Sequence, residues 1–61
     1  MKSRLSEIIQ ALRLRPFYIK ELARHLNASY TTVWKWVKEL EKQGKVEIKE
    51  YARAKIVIWK G

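Results

Sequence analysis

The sequence predicts an α+β fold, mostly helical, in which three helices precede a β-hairpin. Three observations carry that reading. Apolar residues recur with a helical period through residues 5–12, 19–26 and 33–40. Pro16, the Asn27-Ala28-Ser29 break and Gly44 fall where those segments have to stop. After Gly44 the period drops to two, the spacing of a half-buried strand.

The first helix is expected from about Ser3 to Leu14, with Ser3 as its N-cap. Leu5, Ile8, Ile9 and Leu12 make its apolar stripe, and Arg13 and Arg15 suit the negative end of the helix dipole. Pro16 ends the helix and holds Arg15 extended. A second helix runs from about Ile19 to Leu26 and buries Leu22, Ala23 and Leu26. Tyr18 is a weak N-cap because it offers no short side-chain acceptor. Glu21 at N3 compensates by reaching back to the cap amide, and Phe17 with Leu22 fits a hydrophobic staple. Asn27 suits a left-handed turn residue.

Ser29 caps the third helix, Tyr30 to about Gln43. Val33, Trp36, Val37 and Leu40 fall within one sector of roughly 100° around its axis, with Tyr30 on the border. Thr31, Lys35, Lys38 and Lys42 lie opposite, and Trp34 sits beside the lysines. In the hairpin, Val46 and Ile48 alternate with Glu47 and Lys49, and Ile56 and Ile58 alternate with Val57 and Trp59. Residues 50–55 are expected to form the bend, and no Asn-Gly signature sets the register. In one register Ile56 and Ile58 face the core while Val57 and Trp59 make an exposed apolar edge. The shifted register exchanges those faces.

Sixty-one residues make one domain, 1–61, near the lower size limit for a core without staples. The chain has no Cys, so neither a disulfide nor a thiolate metal site is available. His25 stands alone, without a ligand-spaced partner, and no Gly-rich phosphate loop is present. No cofactor, no metal and no enzymatic activity are expected. No apolar run approaches the roughly 20 residues of a membrane span, and the basic N-terminal segment lacks the layout of a signal peptide. The expected location is cytoplasmic. Fourteen Lys and Arg against six acidic residues give a net charge of +8, spread evenly over both halves of the chain. Such a balance favours a polyanionic partner.

The order of these elements resembles the winged helix-turn-helix family of DNA-binding domains. Glu21-Leu22-Ala23 is similar to the family's "ELA" segment on the second helix. Ser29, Thr32 and Val33 are similar to its entry into the recognition helix, and Leu40-Glu41 with Gly44 and Val46 to its passage into the wing. Trp59-Lys60 is also similar to the end of the wing in the Z-DNA-binding branch, but Trp34 and Lys38 depart from that branch.

The resemblance implies double-stranded DNA as partner and a small transcriptional regulator as function. The third helix, about 30–43, would enter the major groove, and the wing, about 46–59, would touch the adjacent backbone or minor groove. The matching positions are Tyr30, Thr31, Trp34, Lys35 and Lys38 on the helix, and Arg53 and Lys55 in the wing, with Lys42 added by its place on the same helix face. That face has Lys but no Arg, Asn or Gln, so phosphate contact is expected to outweigh base reading. An exposed Val57/Trp59 edge would favour a homodimer matched to a palindromic site. Two other readings stay open: a winged-helix protein-interaction module and an RNA-binding module.

Overall fold

The computed structural model describes residues 4–61. The expected cap Ser3 lies outside the described residues. Helix α1 spans Leu5–Leu14, preceded by Arg4, which makes no side-chain cap bond and instead pairs with Glu7 at 2.8 Å. Ile8, Ala11 and Leu12 are buried, and Leu5 and Ile9 pack at the margin of the core. Arg15 follows in fully extended backbone, as the next residue, Pro16, requires.

Phe17–Tyr18 form a two-residue strand, β1, that the sequence did not announce. Two residues are too few to display a period, and both also fit the entry to a helix. That entry is present as well: α2 spans Ile19–Leu26, and the Tyr18 N–H donates to Glu21 Oε1 at 3.0 Å. The Arg15 guanidinium donates to Glu21 Oε2 at 3.4 Å and lies 3.9 Å over the Phe17 ring. The Tyr18 amide, and then Arg15, hold the Glu21 carboxyl below its ordinary range. His25 stacks at a tilt against Phe17, with ring centroids 5.5 Å apart.

α2 and α3 both end in the same reverse-turn pattern. After α2, Asn27 adopts φ 55°, its N–H bonds to the Arg24 carbonyl, and the Ala28 N–H bonds to the Ala23 carbonyl. α3 spans Tyr30–Lys42, one residue shorter than expected, and Gly44 follows at φ 75°. There the Gly44 N–H bonds to the Glu41 carbonyl and the Lys45 N–H to the Leu40 carbonyl, which is the Schellman arrangement. At the start of α3, Ser29 Oγ accepts from the Thr32 N–H at 3.2 Å and shares a 2.8 Å hydrogen bond with the Thr32 hydroxyl.

A Cβ at Gly44 would meet nothing within 4 Å, so only the left-handed backbone opposes a side chain there. Gly44→Ala is expected to cost about 1 kcal/mol. In thermal unfolding that corresponds to a melting temperature lower by about 4–8 °C for a domain this small.

Strands β2, Val46–Tyr51, and β3, Ala54–Trp59, form the hairpin, and the antiparallel sheet has the order β1-β3-β2. The bend is shorter than residues 50–55. Glu50 pairs with Lys55 and Tyr51 with Ala54, leaving a two-residue turn of Ala52 and Arg53 at φ 45° and 71°. Two positive φ values define a type I′ turn, which matches strand twist but is usually built from Asn and Gly.

The register is the shifted one. Val57 pairs with Phe17 on one side and Ile48 on the other, and is fully buried. Trp59 pairs with Val46 on the same face and packs against the core. Ile56 and Ile58 lie half-buried on the opposite face, beside Tyr18 and Tyr51. The Val57/Trp59 surface expected for a homodimer is therefore absent, because strand alternation points both residues at the helices. Among the described residues, no helix is long and apolar enough to cross a membrane.

Candidate nucleic-acid interface

One side of α3 is consumed by the core: Val33, Val37 and Leu40 are buried, and Trp36 packs at their margin. The remaining turns leave Thr31, Lys35, Lys38 and Lys42 exposed, as the helical period requires. The core side is locked by Ser29, whose cap fixes the first turn, and by the Schellman end at Gly44. These exposed side chains therefore stand on a helix that is held at both ends.

Seven of the eight residues singled out from sequence fall into two groups. Trp34, Lys35, Lys38 and Lys42 line a shallow groove along the outer face of α3, together with Glu39 and Glu41. Lys38 Nζ pairs with Glu41 Oε1 at 2.8 Å, an exposed contact that leaves the ammonium free to exchange partners. Tyr30, Arg53 and Lys55 line a second cleft, formed with Tyr18 and Lys20 where the hairpin turn approaches the first residues of α2 and α3. Thr31 is exposed but lines neither depression.

Trp34 joins the two groups. It is half-buried and packs against the core, so the indole is a wall of the interface and not a free probe beside the lysines. Lys38 Nζ, from the same helix, and Lys55 Nζ, from β3, each lie 5.4 Å from its ring centroid. Both distances fall within cation–π range, so one indole draws a helix cation and a wing cation together. Lys55 does this from within β3, not from the hairpin tip, which Arg53 alone occupies with Ala52.

Lys20 and Arg24 were missed. They sit one turn apart on the exposed side of α2 and line a third depression with Asn27 and Tyr30, which shares Lys20 and Tyr30 with the cationic cleft. Their signal was legible as cations at i and i+4 opposite Leu22, Ala23 and Leu26. Among the described residues, no cluster of His, Cys, Asp or Glu could hold a metal ion.

Comparison with known proteins agrees with this architecture. A solved structure described as "Structural insights into the DNA recognition and protein interaction domains reveal fundamental homologous DNA pairing properties of HOP2" superimposes with a TM-score of 0.77 at 22% identity. The alignment covers 95% of this chain and 100% of that one, and it establishes a shared winged-helix fold. No curated protein matches the chain in sequence. The sequence profile of the HTH domain matches residues 4–55. The chain therefore belongs to the helix-turn-helix (HTH) domain family, which is a family of DNA-binding domains and not of enzymes.

Proposed function

We propose that this protein binds double-stranded DNA as a small transcriptional regulator, with α3 in the major groove and the wing on the adjacent backbone or minor groove. One observation carries the reading: Lys38 of α3 and Lys55 of the wing converge on the Trp34 ring, so helix and hairpin present their cations as one surface. Thr31 and Tyr30 are the side chains best suited to base edges, and Lys35, Lys42 and Arg53 suit phosphates. The mechanism is occupancy of a promoter, by occlusion or recruitment, with no chemistry of its own.

The double substitution of Lys35 and Lys38 by Ala tests the assignment. Both side chains are exposed, so the variant melts like the parent. The slope of log affinity against log salt falls by about 2, one for each lost phosphate contact. Unchanged binding rejects this helix face. Selection of bound sites from a random duplex library separates a regulator, which enriches a motif, from a non-specific coater.

A second reading, a protein-interaction module, draws on the outer sheet face, where Tyr18, Tyr51, Ile56 and Ile58 carry apolar surface. That reading gains if duplex DNA shifts weakly and no motif is enriched. Competition between duplex DNA and structured RNA decides against or for an RNA partner.

A further inference from the structure

The cleft between the wing turn and the starts of α2 and α3 has a composition that phosphate contact alone does not explain. Its rim carries three cations, Lys20, Arg53 and Lys55, and no carboxylate contributes to its lining. Its walls include two tyrosines, Tyr18 and Tyr30, which remain 37% and 47% exposed. Ile19, Ala52 and Ala54 add apolar atoms to this mixed lining, around a volume of about 230 Å³. A bare phosphate gains little from aromatic and aliphatic walls, since it has to shed water against them. A nucleobase gains from those walls, and its attached phosphate gains from the cations.

We infer that this cleft is a seat for one unpaired nucleotide, its base against Tyr18 and Tyr30 and its phosphate among Lys20, Arg53 and Lys55. A base inside a duplex is excluded because its faces are covered by its stacked neighbours and its Watson–Crick edge by its partner. The nucleotide must therefore come from a single-stranded overhang, a bulge or a base turned out of the stack. The wing turn is shaped for this role. Ala52 and Arg53 accept left-handed backbone without glycine, and both line the cleft, so the turn brings an arginine to its rim. This inference rests on the DNA-binding reading and adds a preferred substrate to it: duplex DNA that carries an unpaired nucleotide.

The test uses the intact protein and three duplexes with one common paired sequence: blunt, with a one-nucleotide overhang, and with an abasic overhang that retains the phosphate. Fluorescence anisotropy is expected to show the overhang duplex bound at least about fivefold more tightly than the blunt one. The abasic overhang is expected to lose most of that gain. Tyr30→Ala abolishes the preference, and Tyr30→Phe, which keeps the ring, retains it. Equal affinity for base-bearing and abasic overhangs overturns the inference and leaves only a phosphate contact. Equal affinity for all three duplexes overturns it while leaving duplex binding intact. If no duplex binds in a salt-dependent way, the DNA-binding reading itself fails.

Discussion

Raising monovalent salt fourfold, from about 50 to about 200 mM, is expected to weaken duplex binding by about 500-fold. Five cations of the candidate interface lie on α3 and the wing: Lys35, Lys38, Lys42, Arg53 and Lys55. If each displaces one condensed counterion, log affinity falls against log salt with a slope of about −4.5, which over a fourfold change gives that factor. Lys38 begins the reaction paired with Glu41, and Glu39 lies in the same groove, so the two carboxylates pull the slope toward the shallow side. Contacts from Lys20 and Arg24 would steepen it. Titration of a labelled duplex at four or five salt concentrations gives the number directly. An affinity indifferent to salt removes the lysine face from the recognition surface.

The second large effect concerns the fold. Val57→Lys is expected to abolish cooperative unfolding, whereas Ile58→Lys lowers stability by less than about 1 kcal/mol. Val57 is fully buried between Phe17 and Ile48, and no carboxylate is buried near it to accept an ammonium. A domain of this size holds only about 3–5 kcal/mol in reserve, less than a lone buried charge demands. Ile58 lies on the other face, directly across from Glu47, so an ammonium placed there gains an opposite charge as neighbour. Circular dichroism melts of the two variants distinguish the faces. A folded Val57→Lys with an unfolded Ile58→Lys would mean that the register is off by one residue.

The helices were legible because their signals were local. Asn27 and Gly44 take left-handed backbone, Ser29 makes its cap bond, and Glu21 reaches back to the Tyr18 amide, each within a few residues of the signal that announced it. The sheet was less legible. Val57 and Ile58 are both β-branched and both preceded and followed by apolar residues, so alternation cannot say which face is inner. The deciding partner is Phe17, distant in sequence, and β1 becomes a strand only because β3 lies beside it. The bend was overestimated for a similar reason: Glu50, Tyr51, Ala54 and Lys55 look like turn flanks until cross-strand pairing extends the ladder around Ala52-Arg53.

The interface followed the same division. The wheel that separates Val33 from Lys35 needs only the helical period, and its exposed face is the one observed. Trp34 was ambiguous because a residue at the border of a helix face is buried or exposed according to what else arrives there. What arrives is Lys55, from β3 of the hairpin. Tyr18 joins the site, and Lys20 joins the wing cations, only because the wing turn folds over the start of α2.

β3, the second strand of the hairpin, is also the middle strand of the sheet. The wing is thus not a flap attached to a finished helical body. Its return strand carries Val57 into the core and pins the entry to α2, so releasing the wing would mean melting the domain. A reader built in this way holds the distance between its helix and its hairpin nearly constant. If helix and wing both contact DNA as proposed, a target that does not match that distance has to adjust to it, and sequences that bend or widen with least resistance would be bound in preference even where no side chain touches a base.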